Sequence, residues 1–269
     1  RAACYSMTVP DDVRITVKPS GGISDFETFF HEGGHAMHFA NTTNPYWEFR
    51  QLGNNAVTEG FAIFFDTVWG EYEWLLKYNE LVKSYNRFQD PDDRVPVMTD
   101  RDMGLLIRNR VFWDVYMVRR YNGAKLIYET ILHGGDSDIY DDHYSGQTED
   151  PHQVYKELFS DAYGFPLTDT EALRYRTDVD AFFYAADYAR AFLLAAQLNE
   201  SMRDRFGVEW FNDPAAGELL RSKLWVDGGK LQADELAQLI GYEETAFDQF
   251  EQRMNRRLEI ARKLIEGEM

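Results

Sequence analysis

Residues 29–38 read Phe29-Phe30-His31-Glu32-Gly33-Gly34-His35-Ala36-Met37-His38, and this stretch decides how the chain is interpreted. It contains the pattern H-E-x-x-H. On a helix of 3.6 residues per turn, His31 and His35 project from one face about one turn apart, as a metal-chelating pair does. Glu32 lies close to that face, where it can act as a base on water without binding the metal. The spacing therefore predicts a metal-dependent hydrolytic centre.

A third metal ligand is predicted at Glu59. A tetrahedral catalytic zinc takes three protein ligands and leaves a fourth position open. Glu59 lies on the next predicted helix, within the apolar segment 56–65, where an unpaired carboxylate is costly to bury. Asp66 follows two turns later and is expected either behind the ligands or at the exposed end of that helix.

Two further features of the motif helix leave alternatives open. Glu27, one turn before His31, either accepts the free ring N–H of that histidine or pairs with Ser24 in a capping box at the helix start. Gly33 and Gly34 each cost about 1 kcal/mol relative to alanine inside a helix. Glycine at these positions indicates that another backbone or a substrate approaches closely.

The composition excludes several classes of function. A net charge of −18 over 269 residues argues against nucleic acid or an anionic membrane as partner, because both need a cationic surface. The single cysteine, Cys4, excludes an internal disulfide and a cysteine-rich zinc module. No apolar run is long enough to span a membrane and no signal peptide is evident, so we expect a cytoplasmic protein. The chain opens on Arg1, which is compatible with a fragment of a longer protein.

The hydrophobic pattern predicts a mainly α fold with a small β element near the N-terminus. Alternating residues around Pro10-Asp11-Asp12 predict a β-hairpin over 5–18, and the motif helix is expected from Ser24 to about Asn41. Position 38 on that helix is expected to be a packed core histidine. Further helices are predicted over 46–69, 71–87, 99–133, 151–163, 169–176, 179–205, 213–223, 231–240 and 244–267. No convincing linker interrupts residues 1–269, which predicts a single catalytic domain.

Residues 27–38 and the position of Glu59 resemble the thimet oligopeptidase and oligoendopeptidase F family of zinc metallopeptidases. The strand-like segment 13–17 before the motif and the segment 206–218 are similar to parts of the same family. The resemblance implies that the chain is the C-terminal catalytic half of a longer peptidase. It also implies a helical zincin-like, clam-shaped fold that cleaves short peptides in a deep channel.

The family resemblance assigns roles to the motif residues. It implies one zinc ion per chain with His31, His35 and Glu59 as ligands, and Glu32 as the general base that takes a proton from water and passes it to the leaving amine. Tyr184 and Tyr188, one turn apart, match the tyrosines that the family uses late in the chain to bind substrate and stabilise the oxyanion.

The histidine that the family places upstream of these tyrosines has no counterpart at that position in this chain. The candidates to replace it are Arg190, Arg176, and His143 and His152 from the acidic loop region. These residues are therefore candidates for binding the peptide substrate.

Two alternatives to a peptidase remain open. The first is a catalytically impaired, zinc-containing module that binds peptides, with its missing N-terminal half or a second copy as a partner. The second is a di-metal carboxylate bundle, because Glu32 and His35 also form an E-x-x-H. That site needs a second such pair inside a helix, and the only other match is Glu149-Asp150-Pro151-His152, where proline belongs at a helix start.

Overall fold

The chain begins with the hairpin that the sequence predicts. In the computed structural model, which describes residues 2–51, 53–134 and 150–268, strands β1 (Ala3–Thr8) and β2 (Asp12–Thr16) pair antiparallel. Cys4 lies opposite Ile15, and the register is irregular between Ser6 and Thr8. Both strands pack against the helix that carries the H-E-x-x-H motif.

Helices make up most of the rest, which confirms the mainly α prediction. In chain order they are α1 (Ile23–Ala40), α2 (Trp47–Gln51), α3 (Asn55–Asp66), α4 (Tyr72–Asn86), α5 (Asp100–Arg120), α6 (Leu126–Leu132), α7 (Pro151–Tyr163), α8 (Asp169–Ala172), α9 (Tyr184–Phe206), α10 (Pro214–Leu219), α11 (Ala233–Leu239) and α12 (Asp248–Glu266). None of the helices in the described ranges is long and apolar enough to cross a membrane.

The chain divides into two compact units. One comprises Arg1–Phe112 together with Ala191–Met269, and the other comprises Trp113–Arg190. The first unit contains the hairpin and the motif helix α1, and the second contains α6, α7 and α8. The interpretation of residues 1–269 as one catalytic domain stays a prediction.

The start of α1 differs from the prediction. Ser24 and Glu27 do not form a capping box, because the helix begins at Ile23 after Gly22, whose φ of 85° favours glycine. Asp25 instead accepts hydrogen bonds from the backbone N–H groups of Ser20 and Gly21, at 3.0 and 2.7 Å. The carboxylate of Asp25 therefore fixes the turn before the helix, and Glu27 makes its contact elsewhere.

The single helix predicted over 46–69 is wrong in its continuity. The helical backbone breaks between α2 and α3 at Gly53, whose φ is 154°. A Cβ on Gly53 would lie 2.7 Å from the Cα of Gly229, so this position needs glycine on steric grounds as well. Helix α3 then restarts with Asn54 as its cap, whose side chain accepts from the N–H of Ala56 at 2.8 Å.

The core of the first unit includes α3, whose apolar side chains are buried on all sides as predicted. The prediction is confirmed for 56–64, where every residue except Thr58 is buried. The one carboxylate in that run is Glu59. Its helix packs extensively against α1, which brings the buried carboxylate to the histidine face.

In the second unit, the segment before α9 is held by a cluster of charged and polar side chains around the buried Lys125. The Nζ of Lys125 donates to Asp178 Oδ1 at 2.7 Å and lies 3.2 Å from Asp180, and the hydroxyl of Tyr155 donates to Asp178 at 2.7 Å. Helix α9 begins at Tyr184, later than predicted, because two residues before it have left-handed backbone angles, with φ of 57° and 56° at 182 and 183.

Candidate metal centre

Close packing of α1 on α3 builds the site. A Cβ on Gly34 would lie 2.6 Å from the Cα of Ala62 and 2.7 Å from the carbonyl oxygen of Phe61, so only glycine permits this approach. A Cβ on Gly33 would meet no described atom within 4 Å. The close approach inferred from the two glycines is therefore found at Gly34, where the neighbour is the backbone of α3.

Three side chains from the two helices converge at this contact. Glu59 Oε2 lies 3.4 Å from the Nε2 of His31 and 3.7 Å from the Nε2 of His35. These side chains are largely buried, with 23%, 13% and 7% of the surfaces of His31, His35 and Glu59 exposed. In the described part of the chain, these two histidines and one glutamate form a cluster whose possible ligand atoms all lie within 4.8 Å of one another. The cluster could therefore hold a metal ion.

The donor set and its dimensions fit a zinc ion. Zinc bonds to histidine nitrogen and carboxylate oxygen are about 2.0–2.2 Å long, so the edges of a zinc tetrahedron are roughly 3.3 Å. The two nitrogen-to-oxygen distances of 3.4 and 3.7 Å are close to that edge. Two imidazoles and one carboxylate also leave the fourth position open for water or substrate, as in catalytic zinc sites.

Each histidine ring is oriented by a contact at its other nitrogen. The Nδ1 of His31 lies 3.0 Å from Asp66 Oδ2, and the Nδ1 of His35 lies 2.8 Å from the hydroxyl oxygen of Thr58. An ionised carboxylate only accepts, so Nδ1 of His31 donates its proton to Asp66, and Nε2 is the ring nitrogen that faces Glu59 and can bind a metal in place of its proton. Such contacts behind metal ligands fix both tautomer and ring orientation.

Neither of the two alternatives for Glu27 is found, and the residue that contacts the Nδ1 of His31 is Asp66, which agrees with the first of the two positions expected for it. Glu27 lies on the same helix one turn earlier, but its carboxylate accepts a hydrogen bond from Arg110 at 3.0 Å. Asp66 reaches the histidine because the packing of α1 on α3 places the last residue of α3 beside the ring.

The electrostatics of the cluster favour a bound cation. Burial lowers the pKa of His31, but hydrogen bonds to Asp66 and Glu59 outweigh it and raise that pKa to about 10. Burial lowers the pKa of His35 to about 4. One positive charge is therefore stabilised among the two carboxylates when no metal is present, and a divalent cation would experience the same attraction.

Glu32 lies beside the ligands and next to β1. Burial is the main reason that the pKa of its carboxyl is raised, and a hydrogen bond donated by the backbone N–H of Cys4 opposes that shift. Burial, with a contribution from Glu32, raises the pKa of the Cys4 thiol to about 11, so at neutral pH the thiol is protonated and is a poor metal ligand.

His38 is a core residue, as the sequence predicts. It is 2% exposed, and its ring lies 5.4 Å from that of Phe39 and 4.9 Å from that of Phe61. Burial lowers its pKa to about 3, so the ring is neutral at physiological pH. It packs between aromatic side chains and is not part of the ligand cluster.

The candidate substrate-binding residues belong to the second unit. The rings of Tyr184 and Tyr188 lie 5.2 Å apart, and Tyr188 also contacts Tyr121 at 4.8 Å. His152 is in the first turn of α7, with Nε2 3.2 Å from the carbonyl oxygen of Asp169.

Of the remaining candidates for binding substrate, two lie on the surface and one lies outside the described residues. Arg190 and Arg176 are both exposed, and Arg176 donates to the hydroxyl of Tyr175 at 2.7 Å. His143 lies outside the described residues. The roles of these residues in binding substrate stay predictions.

Two residues at the centre were not singled out from the sequence. Thr58 immediately precedes Glu59, and no local pattern distinguishes its hydroxyl from that of any other threonine in a helix. Arg110 carries a usable signal: with Met103, Ile107 and Val111 it forms the buried stripe of α5, at the spacing of a helix face. A positively charged side chain on such a buried stripe needs carboxylate partners, so the pattern indicates that Arg110 pairs with acidic residues of other helices.

Comparison with known proteins places the chain in a family. Residues 22–256, which include α1, α3 and the segment with Tyr184 and Tyr188, match peptidase family M3. No curated protein matches the chain. Since the match extends over most of the sequence and contains the cluster of two histidines and a glutamate, the chain belongs to peptidase family M3, a family of zinc-dependent metallopeptidases.

Proposed function

We propose that this protein is a zinc-dependent oligopeptidase that hydrolyses peptide bonds in short peptides. The observation that carries the proposal is the convergence of His31 Nε2, His35 Nε2 and Glu59 Oε2 at distances close to the edge of a zinc tetrahedron. Membership of peptidase family M3 supports the reaction type. The restriction to short peptides rests on the sequence resemblance to oligopeptidases alone.

In this proposal the three converging side chains hold the zinc ion. Bound zinc supplies Lewis-acid chemistry, polarising a peptide carbonyl and making water more acidic. Asp66 and Thr58 hold the two imidazole rings with Nε2 toward the ion, so the ligands are oriented before the metal binds.

Glu32 acts as the proton carrier. Its carboxylate takes a proton from the attacking water and gives it to the leaving amine, which is general base and then general acid catalysis. Burial raises the pKa of this carboxyl, which makes it a stronger base than an exposed glutamate. The hydrogen bond from the Cys4 backbone N–H orients the carboxylate beside β1.

Tyr184 and Tyr188 are proposed to donate hydroxyl hydrogen bonds to the oxyanion that forms on the peptide carbonyl. Such a donor typically contributes about 3–4 kcal/mol to the stability of the transition state. Arg190, His143 and His152 are proposed contacts for the peptide in place of the late histidine of the related oligopeptidases.

The test combines zinc quantification with hydrolysis of a quenched fluorescent peptide library. The Glu32→Gln variant is expected to bind one zinc ion per chain like the wild type, and to hydrolyse peptides at least about 100-fold more slowly. Glu48→Gln, which removes an exposed glutamate charge on the short helix α2, is the matched control and should keep both properties.

The outcomes separate the proposed function from its alternatives. Peptide hydrolysis by Glu32→Gln at nearly the wild-type rate would remove the general-base assignment. A wild-type chain that binds zinc and peptides but cleaves none would identify an impaired binding module. Two iron or manganese ions per chain would identify a di-metal site instead.

A further inference from the structure

A buried arginine from a third helix joins the two helices that carry the metal ligands. Arg110, on α5, has 4% of its side chain exposed. Its Nη1 donates to Glu27 Oε1 at 3.0 Å, and its Nη2 donates to Asp66 Oδ1 at 2.7 Å. Glu27 belongs to α1 and Asp66 to α3, so one guanidinium group bridges both helices.

The bridge continues directly to a proposed zinc ligand. The second oxygen of Asp66, Oδ2, accepts from Nδ1 of His31 at 3.0 Å. The carboxylate of Asp66 is thus held between a guanidinium on one side and an imidazole on the other. Because Asp66 has 8% of its side chain exposed, little water is available to replace either contact.

The geometry requires a guanidinium rather than any positive charge. A planar fork can donate to two carboxylates in fixed directions at once, whereas an ammonium group is a single point charge on a flexible stem. The arginine itself is confined. Its guanidinium lies 5.2 Å from the ring centroid of Trp69, and a Cβ on Gly70 would lie 2.9 Å from its Cγ. The fork is therefore held in place before any metal binds.

We propose that Arg110 is a positioning residue for the metal centre, which acts through Asp66 to hold the ring of His31 in its metal-binding orientation. The inference rests on the proposed function in taking zinc as the bound ion. The contacts that link Arg110 to His31 run through the carboxylate of Asp66. Its effect is expected in the affinity for zinc, which can be measured without any peptide.

The experiment measures zinc dissociation constants by competition with a chromophoric chelator, using zinc alone as the probe. Arg110→Met is expected to weaken zinc binding by about 10–100-fold, the range typical for loss of a group behind a metal ligand. Arg110→Lys keeps the charge without the fork and is expected to weaken binding less. Arg110→Lys also provides the test of the proposal if the Arg110→Met protein does not fold.

Two further variants separate positioning from general destabilisation. Arg256→Met removes another arginine held by a buried carboxylate, since Arg256 contacts Glu200 at 2.5 and 2.6 Å, on a helix that supplies no metal ligand. It is expected to lower the free energy of unfolding without changing zinc affinity. In an Asp66→Asn background, Arg110→Met should weaken zinc binding by less than it does alone, because the carboxylate it acts through has already been altered.

Two results would overturn the inference. One is a folded Arg110→Met protein with zinc affinity within about twofold of wild type, well below the expected range. The other is full additivity of the losses caused by Arg110→Met and Asp66→Asn. A wild-type chain that fails to bind zinc would instead contradict the proposed function, so the two failures are distinguishable.

Discussion

Replacing Gly34 with alanine tests whether the close contact of α1 with α3 creates the metal centre. The added methyl carbon would lie 2.6 Å from Ala62 Cα and 2.7 Å from Phe61 O. Favourable carbon contacts begin near 3.5 Å, so the helices must separate locally by roughly 1 Å. The contacting atoms belong to the backbone, and no side-chain rotation can relieve the overlap.

The expected loss of stability follows from two opposing terms. Overpacking of this kind costs about 1–3 kcal/mol. Alanine returns about 1 kcal/mol of helix propensity relative to glycine. We therefore expect the free energy of unfolding of the metal-free protein to fall by up to about 2 kcal/mol.

The same separation should weaken zinc binding. Glu59 Oε2 lies 3.4 and 3.7 Å from the two histidine nitrogens, so moving α3 away carries one donor beyond bonding range of an ion held by the other two. Metal sites tolerate deviations of only about 0.2 Å in their bond lengths, and we expect at least about a tenfold loss of zinc affinity.

Gly33→Ala is the matched control on the same helix. A Cβ at Gly33 meets no described atom within 4 Å, so the propensity gain is unopposed and the protein should become more stable by up to about 1 kcal/mol. Urea unfolding of the metal-free proteins and chelator competition for zinc give both quantities. If Gly34→Ala were as stable as Gly33→Ala and bound zinc like the wild type, the role assigned to the helix contact would be refuted.

Three further predictions concern stability at acid pH, the histidine orientation and the tyrosines. Burial would raise the pKa of Glu71, but Arg253, whose Nε donates to it at 3.1 Å, is among the charges that lower it to about 2. The stabilisation, on the order of 3 kcal/mol, is therefore complete above about pH 4.5 and lost as pH falls toward 2; Glu71→Gln should lack this pH dependence in unfolding measurements and lose about 3–5 kcal/mol at neutral pH. Thr58→Val removes the oxygen beside a histidine Nδ1 at 2.8 Å and should weaken zinc binding by about tenfold in the chelator assay, and an unchanged affinity would count against that orienting role. Of Tyr184→Phe and Tyr188→Phe, the variant that removes the oxyanion donor should lower kcat by about 100- to 1,000-fold with zinc content unchanged, and wild-type kcat in both would remove the tyrosine assignment.

The helical architecture was largely predictable because its cause is local. Alternation of apolar residues gave the hairpin, and helical spacing gave α1, α4 and α7 with boundaries close to those observed. The errors in the predicted helices lie where one helix ends and the next begins. Gly53 breaks the predicted helix over 46–69 because its backbone lies against Gly229, a contact from a distant part of the chain.

The second unit shows the same limit. The start of α9 was predicted too early because the apolar pattern continues through residues 179–183. The observed start at Tyr184 follows from left-handed backbone angles at 182 and 183, in a segment anchored by the partly buried hydrogen bonds of Asp178. Nothing in the local spacing of apolar residues encodes these long-range hydrogen bonds.

By itself, the sequence determined the metal-binding face. The spacing of His31 and His35 places both rings on one side of a helix whatever packs against it, and a carboxylate in an apolar helix needs a compensating partner, which indicated Glu59. The tertiary structure alone decided which groups orient the rings. Asp66 rather than Glu27 contacts His31, and Arg110 joins both carboxylates from α5. The physical reason is that helix periodicity fixes the direction of a side chain, whereas its hydrogen-bond partner depends on how separate helices pack.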